Sequence, residues 1–289
     1  MLPFMPTKSG TSSAAIVPVP PNFSFVSTVE SHGWMYLAPF RWAAEERVLR
    51  RKERLGGRTV GLEITERGGM LEVKGANASA ELTRRMSRMF QLHVDTSEFI
   101  EKTRGSAAHA WVAGAGFGRL LCGATVWEDA VKIIATTNTM WRQTVRMVDL
   151  LVAKCGKGGA FPEPEDVLRF SEEELQEDCR LGYRAKSIRA LAAGLASGSI
   201  ELPGSTLTTE ELFRGYLKLP GIGPYGAAHL LAMDGRHDFI AVDTEFRRFV
   251  RETYHGGRKV SDATMLRRYN KWGRWKYLAY WSELWGSRP

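Results

Sequence analysis

Leu219-Pro-Gly-Ile-Gly-Pro-Tyr-Gly-Ala-Ala-His-Leu-Leu-Ala-Met233, followed by Ala241-Val-Asp-Thr-Glu-Phe-Arg-Arg-Phe249, is the stretch from which the rest of the chain can be read. Pro220 and Gly221 end whatever helix precedes them. Gly223 is expected to take a backbone conformation closed to residues with a Cβ. Pro224 suits the first helical position, where its missing N–H costs nothing. Ala227, Ala228, Leu230, Leu231 and Met233 then continue as a strong helix former with an apolar face. Backbone amides around Gly221, Gly223 and Gly226 at such a helix start favour a phosphate, because unpaired N–H groups and the helix dipole both attract an anion. Up to this point a plain turn between two helices reads the same way. Twenty residues after Gly223 stands Asp243, in an apolar Ile-Ala-Val-Asp context with Phe246 and Phe249 beyond.

A Gly-rich hairpin, a helix and a Val-Asp pair at this distance resemble the helix-hairpin-helix DNA glycosylase superfamily, in its alkyladenine DNA glycosylase II and 8-oxoguanine DNA glycosylase branches. The resemblance implies that Asp243 is catalytic and that the hairpin grips the DNA backbone. It also implies a monovalent cation on the backbone carbonyls of Leu217, Leu219 and Ile222. Ala135-Thr-Thr-Asn-Thr-Met-Trp-Arg142 looks like the helix–turn segment that enters the gap left by an extruded base, with Asn138 as the wedge. Leu181-Gly-Tyr-Arg-Ala185 is similar to the same branch's segment in which a tyrosine, here Tyr183, wedges between base pairs. Arg184 would then face the orphaned partner base. Trp272-Gly-Arg-Trp-Lys-Tyr-Leu-Ala-Tyr-Trp281 places Tyr277 and Trp281 one helical turn apart on one face. These two residues join Tyr225 and His229 in the implied base pocket. Each segment also has a plainer reading: a polar cap for Asn138, a loop anchor for Tyr183, ordinary core for the aromatic stripe.

Two departures from the family pattern bear on the chemistry. Bifunctional relatives carry a Schiff-base lysine two residues after the second hairpin glycine, and Tyr225 stands there. The resemblance therefore implies hydrolysis without strand cleavage. His229 replaces a small pocket-lining cysteine of the 8-oxoguanine branch. Cys122, Cys155 and Cys179 are the only cysteines, too few for the four-cysteine iron–sulfur cluster of some relatives, and no organic cofactor is called for. The alternatives are a non-catalytic helix-hairpin-helix DNA-binding module and a glycosylase acting on hypermodified bases in defence.

Composition agrees with a double-stranded DNA partner. The formal net charge is +8, and from Arg247 to the end eleven Lys/Arg face three acids, so the whole surplus lies after Asp243. A solvated basic helix face would give the same count. No apolar run approaches the roughly 18 residues of a membrane span, no secretory pattern opens the chain, and three widely spaced cysteines suit a reducing compartment. A cytoplasmic, nucleoid-associated monomer is the expectation. The fold class read from the chain is α+β: a disordered leader over 1–21, an antiparallel β domain with flanking helices over 22–110, and an all-α region over 111–289. Phe23–Val29, Arg58–Thr65 and Met70–Lys74 read as strands by their alternation, with turns at Gly56-Gly57 and Gly68-Gly69. Residues 127–155 read as one long helical region.

Overall fold

In the computed structural model, which describes residues 14–204 and 206–287, period-two alternation builds an antiparallel five-stranded sheet. Its strands are β1 (Ala14–Pro18), β2 (Arg41–Ala43), β3 (Val48–Leu55), β4 (Arg58–Arg67) and β5 (Met70–Lys74), in the spatial order β1-β5-β4-β3-β2. Leu49, Leu62, Ile64, Leu71 and Val73 point to one face and are buried, as alternation on a pleated strand requires. Gly56-Gly57 and Gly68-Gly69 close the two hairpins with positive φ at every position, the geometry that two-residue hairpins need.

Two expectations fail here. The leader read over 1–21 includes β1, which pairs with β5 from Ala14↔Lys74 to Pro18↔Met70. Ala15 and Val17 turn inward, and five residues gave too short a period to stand out in a Pro-rich stretch. Residues 1–13 of that leader lie outside the described residues. The strand read over Phe23–Val29 is instead the short helix α1 (Phe25–Val29), because the Ser24 side chain caps it by accepting the Ser27 N–H.

The remaining helices are α2 (Ala80–Met89), α3 (Ser97–Thr103), α4 (Trp111–Ala115), α5 (Val126–Thr136), α6 (Trp141–Cys155), α7 (Pro164–Val167), α8 (Glu172–Glu177), α9 (Arg184–Ser197), α10 (Thr209–Tyr216), α11 (Pro224–Met233), α12 (Thr244–His255), α13 (Asp262–Arg267) and α14 (Lys276–Gly286). The region read as continuous over 127–155 is two helices. Asn138 takes a left-handed φ of 47° between them, a conformation Asn tolerates better than most residues with a Cβ. Helix α11 is apolar on nearly every side and joins two cores. Ala227, Leu230 and Leu231 belong to the core shared with the sheet and α5, whereas Ala228, Ala232 and Met233 belong to the core formed with α12 and α14.

The sheet is keyed to α5 by buried charges. Arg51 on β3 meets Glu53 at 2.6 Å and Glu128 at 3.0 Å, and Lys132 meets Glu128 at 2.7 Å. Arg51 and Lys132 each lie 4.6 Å from the centroid of the Phe40 ring. Burial alone would raise the Glu128 carboxyl, but the two cations hold it down to about 2.

Candidate active site

The hairpin joins α10 to α11 through residues 217–223. Gly221, not Gly223, is the residue that needs glycine's freedom. Its φ is +81°, and a Cβ there would lie 2.7 Å from Cβ of Ser187. Gly223 is extended (φ −95°) and caps α11, with Pro224 beginning the helix. Added side-chain volume at Gly223 would meet open space, so its bareness keeps the outer surface clear. Ala227 N–H makes the first helical bond, to Gly223 O at 2.9 Å. The amides of Tyr225 and Gly226 precede it and have no partner within the helix. Gly226 also lets α11 approach α5, since a Cβ would lie 3.2 Å from Ile133. The carbonyls of Leu217, Leu219 and Ile222 lie in the same loop, and Leu219 O already accepts Ile222 N–H at 3.0 Å. A carbonyl has two lone pairs, which leaves this oxygen one for a cation.

Asp243 caps α12, its Oδ1 accepting Phe246 N–H at 2.7 Å. Burial raises its carboxyl above the usual aspartate value, against the pull of that N–H. It lines a cleft of about 580 Å³ with Thr136, Thr137, Asn138, Thr139, Tyr225, Val242, Thr244 and Arg247. The cleft thus brings together three residues proposed from separate segments: Asp243, Tyr225 and Asn138. Burial and the nearby Asp243 charge push the Tyr225 phenol up to about 12, so the hydroxyl is protonated and is a donor at neutral pH.

The turn at Asn138 is braced from below. Asn138 Nδ2 donates to the Tyr183 hydroxyl at 3.3 Å, and Tyr183 is 61% exposed. Arg184 departs from the role foreseen for it. It is 8% exposed; its guanidinium donates to the carbonyls of Thr137, Asn138 and Leu181 and stacks on the Tyr183 ring at 4.6 Å. In this structure it holds the turn in shape and does not face outward.

The aromatic wall is richer than the sequence suggested. Tyr225 and His229 rings lie 5.5 Å apart, and Tyr277 stands perpendicular to His229 at 6.1 Å. Tyr277 is 1% exposed and stacks on Trp281 at 5.8 Å, whose indole N–H donates to Ser31 O at 2.8 Å. Tyr277 therefore supports the wall from behind, and Trp281 pins the segment around Ser31 against it. That segment supplies a residue the sequence reading missed: Trp34, stacked on His229 at 5.8 Å and 19°. Its indole N–H donates to Asp129 at 2.8 Å. Glycine is required at position 33, because a Cβ there would press into the edge of the Trp141 indole. Nothing local in the sequence ties Trp34 to a helix almost two hundred residues away.

The profile of the HhH-GPD superfamily base excision DNA repair protein family matches residues 131–274, which contain the wedge turn, the hairpin and Asp243. The chain belongs to the helix-hairpin-helix DNA glycosylase superfamily. No curated protein sequence matches it. Among solved structures, that of MBOgg1 with a low-affinity DNA ligand superimposes with a TM-score of 0.76 at 21% identity, covering 96% of both chains. The apo 8-oxoguanine glycosylase/lyase of Clostridium acetobutylicum gives 0.75 at 19%, covering 96% of this chain and 97% of the other. The 3-methyladenine DNA glycosylase of Archaeoglobus fulgidus gives 0.75 at 19%, covering 94% and 98%. At such identities the likeness is one of fold. It spans the sheet as well as the helices, so the N-terminal layer is part of this glycosylase's architecture.

The basic surplus after Asp243 is partly neutralised. Arg247 pairs with Asp262 at 2.8 Å, Arg248 with Glu245 at 2.7 Å, and Arg274 with Glu98. Among the described residues no group of His, Cys, Asp and Glu is arranged to hold a metal ion, and no helix is long and apolar enough to cross a membrane.

Proposed function

We propose that this glycosylase is monofunctional: acting as a monomer, it extrudes a damaged or modified base from duplex DNA and hydrolyses the N-glycosidic bond, leaving an abasic site. The observation that carries the reading is the cleft itself, where a half-buried carboxylate, Asp243, lies beside a tyrosine and a threonine-rich wedge turn, with no lysine among its lining residues. An enzyme that acts on a base within a duplex must first take it out of the stack, at a cost of a few kcal/mol. Asn138 and Tyr183 fill the gap. The open amides of α11 and the face around Gly221 and Gly223 take the backbone phosphates, with a monovalent cation on Leu217, Leu219 and Ile222 strengthening that grip. Asp243 stabilises the positive charge that develops on the sugar as the bond to the base lengthens. It then orients a water for attack at C1′ and takes its proton, while the base leaves with the bonding electrons.

Tyr225 supports hydrolysis over a covalent imine, because a phenol held near 12 is no amine and is poorly ionised. The test is a panel of duplexes each carrying one modified base. Release of a base, with strand breaks appearing only after alkali, is expected. Borohydride added during turnover should trap no protein–DNA adduct; a trapped adduct overturns the monofunctional assignment.

A further inference from the structure

Helix α11 places His229 one turn beyond Tyr225, on the same side. Tyr225 lines the Asp243 cleft, so His229 forms the next layer inward from the reacting position. Its ring is held on three sides: Trp34 covers one face, Tyr225 leans on it at 5.5 Å, and Tyr277 meets it perpendicularly at 6.1 Å. The covering Trp34 is itself fixed at two points. Its indole N–H donates to Asp129, a buried carboxylate that also takes Arg88 at 2.6 Å. Its backbone N–H donates to His32 Nδ1, and His32 Nε2 donates to Leu121 O at 2.7 Å. A ring so enclosed keeps its orientation when a base arrives.

Of the two ring nitrogens of His229, Nδ1 is buried and has no hydrogen-bond partner, which leaves Nε2 as the nitrogen that can meet a ligand. A buried N–H without an acceptor is rarer in proteins than a bare lone pair. The proton of the neutral imidazole therefore belongs on Nε2. Burial supports neutrality, since it lowers the ring's pKa to about 4.

We infer that His229 reads the extruded base as a hydrogen-bond donor from Nε2, which restricts the substrate to neutral bases offering a carbonyl oxygen or an unprotonated ring nitrogen at that point. The inference rests on the glycosylase reading above and specifies its substrate class. An N7-alkylated purine cation brings a positive charge to an N–H. 8-Oxoguanine carries an N7–H donor that His229 in this tautomer cannot meet, but it is neutral and its O6 and O8 oxygens are acceptors, so it also belongs to the permitted class. Hypoxanthine, a neutral purine with acceptors at O6, N3 and N7, is the simplest lesion of the required kind.

Three duplexes identical except for hypoxanthine, 8-oxoguanine or 7-methylguanine at one position decide the matter under single-turnover conditions. Wild type is expected to release hypoxanthine at least about tenfold faster than 7-methylguanine. His229→Phe keeps a planar ring beneath Trp34 and removes both nitrogens; it should lose about 10–100-fold on hypoxanthine, the range for one unmade hydrogen bond in a closed site. Its affinity for a duplex carrying a tetrahydrofuran abasic analogue, which has no base to read, should stay unchanged. His229→Gln restores a donor on a flexible stem and should recover part of the loss, and it serves if the Phe variant does not fold. Preferred release of 7-methylguanine by wild type, or undiminished hypoxanthine release by either the Phe variant or both variants, overturns the inference and leaves the glycosylase reading standing. Release of none of the three, with Asp243→Asn indistinguishable from wild type on every base tried, overturns both.

Discussion

Asp243→Asn should separate catalysis from folding, because the two respond with opposite sign. Asparagine has the same shape, and its side-chain oxygen can still accept the Phe246 N–H that Asp243 now takes at 2.7 Å. Asn and Asp are equivalent N-caps, so α12 keeps its start. What disappears is the negative charge in the cleft. A positioned acid–base or electrostatic group is worth about 10²–10⁴ in rate, which corresponds to roughly 2.7–5.4 kcal/mol of transition-state stabilisation. Stability should move the other way. Burial raises the Asp243 carboxyl in the folded protein, so the folded state binds that proton more tightly than the unfolded chain does. The resulting contribution to stability is fully present below the unfolded value and is lost as pH rises through the folded one. At pH 7 the ionised carboxylate therefore costs folding free energy, and its replacement by a neutral amide should raise Tm. The gain should vanish in acid, where the wild-type carboxyl is itself protonated. Single-turnover base release and paired thermal melts at pH 7 and near pH 4 check both halves. An Asn variant within about threefold of wild-type activity refutes the mechanism, and one that melts lower at pH 7 refutes the electrostatic account of the site. Wild-type excision should itself decline as pH falls through the raised carboxyl value.

Three further outcomes follow from particular contacts. Lys132→Met removes one cation from a fully buried network and leaves Glu128 with Arg51 alone; a loss of about 3–5 kcal/mol is expected in denaturant titrations, and a change under 1 kcal/mol would argue against the network as the tie between sheet and α5. Tyr183→Ala, at a residue 61% exposed, should melt like wild type yet slow excision from stable pairs more than from mismatches or single strands, where unstacking costs little; equal slowing on all substrates would make Tyr183 a mere brace for Asn138. Gly223→Val meets open space and should weaken binding to every duplex alike with only the small fall in Tm that a poorer helix cap brings, whereas Gly221→Val, at φ +81° against Ser187, should lower Tm further; binding left intact by the first change would remove the hairpin from the DNA interface.

The parts legible in the sequence were those whose signal is local. Pro224 at the first helical turn, the alternating strands around Gly56-Gly57 and Gly68-Gly69, and the fixed distance from hairpin to Asp243 all depend on neighbours within one or two elements. Which glycine carries the positive φ was not legible: Gly221 and Gly223 have the same chemistry, and only the approach of Ser187 from α9 distinguishes them. Arg184 looked like a DNA contact because its segment matched one, but the carbonyls that bind it belong to a turn more than forty residues away. Trp34 and Asp129 gave no local sign, since stacking on His229 and a carboxylate beneath an indole are products of the packed structure. Strand β1 was hidden for a different reason, its five residues adding an edge that only β5 can define.

The span shared with the family runs from 131 to 274, yet the wall around His229 is assembled largely outside it, from Trp34, Asp129 and Trp281. The recognisably inherited segment thus carries the imidazole and the acid, while much of the support that fixes the imidazole comes from outside it. A chain cut to the shared span would keep the hairpin and Asp243 but leave the imidazole without its stacked cover, and a chimaera carrying another member's sheet layer would keep the acid and change its company. In this molecule the ring and the acid share one module and the brace that orients the ring belongs to another, so the brace can be exchanged while both are held.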